Sequence, residues 1–190
     1  MNTLKKFISY YRPYRAVFYF DLFCAAVISV VDLAYPQLLR SLTKTLFTGN
    51  KSAILGALPW LFFILLIMYT IQSLCKYYVT CQGHIMGAKM ERDMRKQLFE
   101  HYEKLSFSYY STHNSGQMMS KLVSDLFDIS ELAHHGPENL FISLVKIIGS
   151  FVFLFLINQK LALPLLLLVI LMILFSIRQN KKMQQTFLEN

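Results

Sequence analysis

The sequence predicts an all-α polytopic membrane protein, and three observations point to that fold class. Of the 190 residues, 55% are hydrophobic and only 16% are charged, whereas soluble domains average about 25% charged residues. Several apolar runs are long enough for a helix to cross about 30 Å of hydrocarbon. The Lys and Arg residues behind the net charge of +8 lie mostly at the ends of these runs. Because they are not gathered on one patch, no nucleic-acid partner is expected.

The first predicted element is a short amphipathic helix within residues 1–15. Leu4, Phe7, Ile8 and Tyr11 follow the spacing i, i+3, i+4, i+7 of one helical face, and the basic residues fall on other faces. A helix of this kind is suited to lie in the headgroup layer of a membrane. We therefore expect an interfacial helix that precedes the first span.

Four long helices follow, and each is predicted to contain one membrane span. Their expected bounds are about 16–46, 54–106, 121–158 and 160–190, and "TGNKS" is predicted to form the turn between the first two. With the N-terminus in the cytoplasm, most Lys and Arg residues fall on the inner side of the membrane. The outer side then holds only Arg40, Lys44, Lys51 and Lys160. This asymmetry predicts that both ends of the chain are cytoplasmic.

The second and third helices are longer than a bilayer requires. A helix over residues 54–105 would measure about 75 Å, more than twice the thickness of the hydrocarbon core. Its last part keeps a helical apolar stripe that includes Met90 and Met94, and Glu91 and Arg95 are spaced to form an i, i+4 ion pair. We therefore expect the two helices to project into the cytoplasm as a stalk.

A polar stretch, "FSYYSTHNSGQMMSKLVSDL" (107–126), lies where these two helices meet. Asn114 and Gly116 are predicted to interrupt the helix, and Ser115 is predicted to cap the next one. Met118 and Met119 would then form a small apolar knob far from the membrane. An apolar knob in water is typical of a surface that another protein binds.

These residues resemble the transmembrane domain of bacterial ABC exporters of the multidrug or lipid-flippase type. The family pattern around the first coupling helix is approximately F-F-D-x-x-x-T-G-x-L-x-S-R-x-x-x-D. Identical matches are Gly116, Ser120 and Asp125, and near matches are Ser115, Met118 and Lys121. Tyr109 and Tyr110 stand near the aromatic pair, and Ser111 departs from the usual acidic residue. The resemblance covers essentially the whole chain and about four of the family's six spans.

The resemblance implies an incomplete six-span exporter bundle. Residues 1–15 would be the elbow helix of the family, and residues 16–190 would be a partial transmembrane domain. It also implies a coupling helix near 113–120 that docks into a nucleotide-binding domain. The coupling residues would be Asn114, Ser115, Gly116, Gln117, Met118, Met119, Ser120 and Lys121.

The resemblance further implies a function, namely export of drugs, lipids or peptides by alternating access. The chain would act in the bacterial cell (plasma) membrane as a homodimer or heterodimer with a second transporter half. No G-x-x-x-x-G-K-[ST] motif occurs, so the ATP and Mg²⁺ of a complete transporter are expected in a nucleotide-binding domain that this chain lacks. We therefore expect a fragment or split gene product with no catalytic residue and no cofactor of its own.

Charged residues inside the predicted spans allow two interpretations. Asp32 lies well inside the first span, and Arg40 and Lys146 are candidate counter-charges. Intramembrane carboxylates often line transport pathways, but they also form structural ion pairs between helices. We favour the structural ion pair.

The pair His134–His135 precedes Gly136–Pro137, a combination that predicts a kink in the third long helix. A metal or proton site at this pair is the alternative, but no metal site is expected, because only Glu131 and Glu138 stand at ligand spacing and no cysteine does.

Two other functions fit the composition. One is a small four-span adaptor or regulator that acts on a partner through its cytoplasmic stalk. The other is a membrane enzyme, such as a transferase acting on lipid. The enzyme is disfavoured because the sequence does not gather a nucleophile and a base at one depth of the membrane.

Overall fold

The computed structural model describes residues 3–47 and 51–189, which are helical almost throughout and contain no strand. The elements in chain order are α1 (Thr3–Ser9), a 3₁₀ turn (Arg12–Tyr14), α2 (Arg15–Phe47), α3 (Lys51–Tyr102), α4 (Phe107–Thr112), α5 (Ser115–Ser120), a π-helical turn (Lys121–Asp125), α6 (Leu126–Ile157) and α7 (Gln159–Glu189). The predicted all-α class is confirmed. The predicted turn "TGNKS" falls largely on residues 48–50, outside the described residues.

Within the described residues, four long helices are apolar enough to cross a membrane, as the sequence predicts. They correspond to α2, α3, α6 with the helical residues before it, and α7. The 52 residues of α3 give it a length of about 78 Å at 1.5 Å per residue. Pro36, Pro59, Pro137 and Pro164 lie inside these helices without ending them. Membrane helices tolerate such prolines because neighbouring groups satisfy the freed backbone carbonyls.

The chain divides into two compact units, and the first extends to Val145. Its core forms around the C-terminal half of α3 (residues 77–102), called the polar half below, where the buried methionines recur every four positions. Met86, Met90 and Met94 are buried on one face of α3 and contact Leu126 and Ala133 of α6. Methionine suits this position because its unbranched side chain fills irregular gaps between helices.

The N-terminal segment packs against this core. Aromatic side chains before and inside α2 surround the buried methionines, namely Phe7, Tyr10, Tyr11, Tyr14 and Phe18. The hydroxyl of Tyr10 donates a hydrogen bond to Gln97 Oε1 at 2.7 Å, and that of Tyr14 donates to Asp93 Oδ2 at 2.8 Å. The tyrosines thus fasten the start of the chain to α3 with both apolar contacts and hydrogen bonds.

The short helix α1 is only partly as the sequence predicts. Of its expected apolar face, Phe7 and Tyr11 pack against protein, whereas Ile8 is exposed. The helix ends at Ser9, and a 3₁₀ turn containing Pro13 leads into α2. The interfacial position of this segment stays a prediction.

The second unit begins at Lys146 and contains the end of α6 and all of α7. The single residue Asn158 separates the two helices, and its Oδ1 accepts a hydrogen bond from the backbone N–H of Lys160 at 3.0 Å. In α7 Ala162 is buried, while most leucines along the helix are exposed. Such a helix is typical of a surface that lipid or further helices cover.

Candidate docking site

The chain after α3 forms a turn that leads into the π-helical turn before α6, and its residues 103–121 are called the tip segment below. It contains α4 and α5, two helices of 6 residues each. The hydroxyl of Tyr110 donates a hydrogen bond to the backbone carbonyl of Tyr102 at 2.6 Å. This bond uses a carbonyl at the C-terminal end of α3, where the last carbonyls lack helical partners. This hydrogen bond therefore joins the tip segment to the end of α3.

The cap of α5 differs from the prediction. Asn114, not Ser115, is the N-cap, and its Oδ1 accepts a hydrogen bond from the backbone N–H of Gly116 at 2.8 Å. The extended backbone of Asn114 (φ −73°, ψ 115°) aims its short side chain at the first turn, which is the usual geometry of a cap. A Cβ atom on Gly116 would lie 3.0 Å from this oxygen, so glycine leaves room for the cap.

The predicted coupling residues form one exposed surface. All residues from Asn114 to Lys121 are exposed except Met118, which is half-buried. The side chain of Met119 is 61% exposed. Their role in binding a partner stays a prediction, but the structure brings them together on α5 and the residues at its two ends.

Phe107, in α4 of the tip segment, is a further exposed residue, and the sequence analysis missed it. It is the first residue of α4 and its side chain is 88% exposed. The available signal was its position: Phe107 is an aromatic residue that follows Ser106 in a polar stretch between two long helices. Exposed aromatic side chains are typical of protein-binding surfaces.

The charge of this surface is positive. The tip segment contains Lys104 and Lys121 and one acidic residue, Glu103 at its start, which gives a net charge of +1. A partner surface that is acidic at its rim would complement this distribution.

Behind the tip segment, polar contacts join α3 to the start of α6. Arg95 Nε donates a hydrogen bond to the backbone carbonyl of Leu122 at 3.0 Å, within the π-helical turn. The guanidinium of Arg95 also pairs with Glu91, which confirms the predicted i, i+4 pair. Ser130 Oγ donates to the second oxygen of Glu91 at 3.4 Å. A force on the tip segment would therefore reach both long helices.

Inside the apolar region, Asp32 has a partner that the sequence analysis missed. Gln72 Nε2 donates a hydrogen bond to Asp32 Oδ1 at 2.6 Å, and Gln72 is itself buried. The bond joins α2 to α3. The sequence did contain a signal for this pair, because Asp32 and Gln72 are polar residues in two consecutive apolar runs, and such residues often form hydrogen bonds between membrane helices. Arg40 lies on α2 and Lys146 on α6, and a charge pair of either with Asp32 stays a prediction.

The structure places His134 and His135, which precede the predicted kink at Gly136–Pro137, next to His84 of α3. Helix α6 continues through Gly136 and Pro137. The sequence analysis weighed the adjacent pair and missed His84, because 50 residues separate it from His134 along the chain.

Comparison with known proteins gives a consistent result. The family described as "ABC transporter transmembrane region" matches residues 18–190. The uncharacterized ABC transporter ATP-binding protein YwjA of Bacillus subtilis is 39% identical over 184 residues, which cover 97% of this chain and 32% of that protein. An ATP-dependent lipid A-core flippase of Idiomarina loihiensis is 29% identical over 132 residues, 68% of this chain and 22% of the flippase. The chain thus spans less than a third of the length of either relative.

Proposed function

Because the chain belongs to the ABC transporter transmembrane region family, we propose that it forms part of the membrane half of an ATP-driven exporter. The tip segment would dock into a nucleotide-binding domain. The observation that carries the proposal is that Phe107, Met119 and helix α5 are exposed in the tip segment. A hydrogen bond joins this segment to α3, and another joins α3 to the π-helical turn that follows it. The family does not favour the alternative of a four-span adaptor or regulator.

The proposed mechanism is mechanical. When two nucleotide-binding domains close on ATP, the docked tip segments move with them. The Arg95–Leu122 hydrogen bond and the Glu91–Ser130 hydrogen bond oppose separation of α3 from α6, so the pair would move as one lever. Movement of such helices across the membrane would convert an inward-facing bundle into an outward-facing one.

The partner surface follows from the chemistry of the tip segment. We expect an apolar pocket for Phe107 or Met119 with an acidic rim that faces Lys104 and Lys121. ATP and Mg²⁺ would bind in the partner domain, since this chain has no phosphate-binding loop. A second transporter half, identical or different, would complete the bundle.

The proposed location is the bacterial cell membrane, with the N-terminus and the tip segment in the cytoplasm. The distribution of Lys and Arg along the sequence supports this orientation. The proposed cargo class is a drug, a lipid or a peptide.

The test uses a complete transporter that contains this chain and its nucleotide-binding domain. We expect Met119→Asp to lower ATP-dependent transport about tenfold or more, because 1.4 kcal/mol of lost docking energy is a tenfold change. Met183→Asp is the matched control, since Met183 is an equally exposed methionine near the end of α7. Transport at the wild-type rate by Met119→Asp and by the double variant Phe107→Asp/Met119→Asp would contradict the proposal.

A further inference from the structure

Three of the five histidines of the chain come together in the first unit, namely His84 of α3 with His134 and His135 of α6. The ring centroids of His84 lie 4.5 Å from His134 and 5.3 Å from His135, and those of His134 and His135 lie 3.9 Å apart. Each ring offers one nitrogen, and these nitrogens lie within 4.8 Å of one another. The docking function proposed above does not involve this group.

His134 is oriented as metal-binding histidines usually are. Its Nδ1 lies 3.1 Å from the backbone carbonyl of Ser130, to which only a protonated nitrogen can donate. This contact leaves Nε2 as the free lone pair of the neutral ring. The residue is only 4% exposed, and Nε2 has no hydrogen-bond partner among the described residues. A backbone carbonyl on one ring nitrogen commonly orients the other toward a metal ion.

The backbone of α3 is shaped to hold this ring. Gly83 and Gly87 are buried one turn apart and face His134. A Cβ atom on Gly87 would lie 2.9 Å from His134 Nδ1, whereas one on Gly83 would lie at an ordinary 3.6 Å from Cδ2. Glycine at position 87 therefore lets the ring lie directly against α3.

Carboxylates near the histidines, among them Glu131, Asp21 and Glu138, would balance the charge of a cation. Glu131 Oε2 is 3.6 Å from His135 Nε2, within ion-pair distance. Asp21 Oδ1 is buried without a hydrogen-bond partner among the described residues, and it lies near the same face of Gly83 that contacts His134. Carboxylates next to metal-binding imidazoles hold the rings and raise their basicity.

We propose that His84, His134 and His135 bind one divalent transition-metal ion of the zinc class. Imidazole nitrogens suit Zn²⁺, Cu²⁺ and Ni²⁺ better than Mg²⁺ or Ca²⁺, which prefer oxygen ligands. With Zn–N bonds of about 2.0 Å, the nitrogens of a tetrahedral site lie about 3.4 Å apart, so small side-chain rotations complete the site. Three protein ligands leave a fourth position for water or a carboxylate.

The ion would join α3 to α6 on the side of the methionine core away from the tip segment. The histidine pair then has a function of its own in addition to the helix kink that the sequence predicts. The bound metal would stabilise the folded chain, because it binds the native arrangement and not the separated helices.

The test uses the full 190-residue chain in detergent micelles, stripped of metal by a chelator and titrated with Zn²⁺. We expect one Zn²⁺ per chain. His84→Ala removes an exposed side chain outside the core, and we expect it to weaken binding by more than the roughly 10–100-fold typical of losing an outer-shell partner. The matched controls His101→Ala and His113→Ala, at exposed histidines elsewhere, should bind as the unmodified chain does.

A titration with Co²⁺ identifies the ligands independently of affinity. Nitrogen and oxygen ligands give weak visible bands, whereas cysteine ligands add an intense charge-transfer band in the near ultraviolet. The proposal is overturned by such a sulfur band, by unchanged Zn²⁺ affinity in His84→Ala, or by equal loss in His101→Ala. Transport is not measured, so failure here leaves the docking proposal untouched.

Discussion

The two halves of α3 differ in what surrounds them. In the apolar half, most side chains are exposed, among them Phe62, Ile67 and Leu74. In the polar half, Met86 and Met90 are buried under α6 and the N-terminal tyrosines. The more hydrophobic half of the helix is thus the less buried.

In the proposed topology the apolar half of α3 lies in lipid and the polar half in water, and this change of solvent along the helix explains the difference. In water, burying apolar surface contributes about 25 cal/mol per Å², so the polar half gains from a methionine core. In lipid that driving force is absent, and helices associate through close packing and polar contacts such as the Asp32–Gln72 hydrogen bond. The transition falls between Cys75 and Met86, where burial on α3 changes.

The largest expected effect tests the core of the polar half. Met90→Ala should lower the free energy of unfolding by about 2–5 kcal/mol, because it leaves a cavity at a fully buried side chain. Leu74→Ala in the apolar half should change it by less than about 0.5 kcal/mol, since Leu74 is exposed. Denaturant unfolding of the chain in micelles, followed by circular dichroism, measures both. Equal losses would contradict the comparison.

The next effect tests how closely α6 approaches the polar half. Gly87→Ala should destabilise the chain by about 1–3 kcal/mol, because the new methyl group would lie 2.9 Å from His134 Nδ1. Gly83→Ala is the control, and its contact at 3.6 Å should leave stability unchanged or raise it through helix propensity. The same unfolding measurement applies. A Gly87→Ala variant as stable as Gly83→Ala would show that α6 packs elsewhere.

A smaller effect concerns the N-terminal segment. Tyr14→Phe removes the hydrogen bond to Asp93 and should cost about 1.5 kcal/mol, the low end for a bond to a charged acceptor at a part-buried site. Tyr77→Phe, at an exposed tyrosine in the middle of α3, should cost less than about 0.5 kcal/mol. Proteolysis of the first residues by an added protease should accelerate only in Tyr14→Phe. Identical protease sensitivity of both variants would mean that the segment is held in another way.

The smallest effect extends the comparison to the tip segment, which has little core of its own. Asn114→Ala should destabilise α5 by about 1 kcal/mol through loss of the cap, and Ser115→Ala should have almost no effect. Amide hydrogen exchange at Gly116, about five times faster for each kcal/mol, measures the change. If exchange at Gly116 were faster in Ser115→Ala and unchanged in Asn114→Ala, then Ser115 and not Asn114 would be the N-cap of α5.

The sequence predicts the long elements well because apolar runs and helical periodicity are local properties. The overlong α3 followed from its uninterrupted period, and the exposed methionine of α5 followed from a polar stretch around it. What the sequence could not supply were partners distant along the chain. Gln72 lies 40 residues from Asp32, and Tyr14 lies 79 residues from Asp93. Such pairs depend on the relative position and rotation of two packed helices, and the periodicity within one helix does not determine these.

The cap of α5 shows a second limit. Asn114 and Ser115 are both good cap residues, and only the backbone angles decide which side chain faces the free N–H groups. The N-terminal helix shows a third, because an amphipathic face can pack on lipid or on protein. Phe7 and Tyr11 contact the methionine core. The composition of the helix alone does not show whether its apolar face contacts such a core or a membrane surface.

The proposed topology places the polar half of α3 and the tip segment in the cytoplasm. Single cysteines at the two ends of α3 test it, with Cys24, Cys75 and Cys81 replaced by Ala. Ser111→Cys lies on the exposed tip segment, and Gly56→Cys lies at the opposite end, where a Cβ atom meets open space. A membrane-impermeant maleimide should label Ser111→Cys only from the cytoplasmic face of sealed vesicles and Gly56→Cys only from the outer face. Labelling of Ser111→Cys from outside, or protection of it from both faces, would contradict the account.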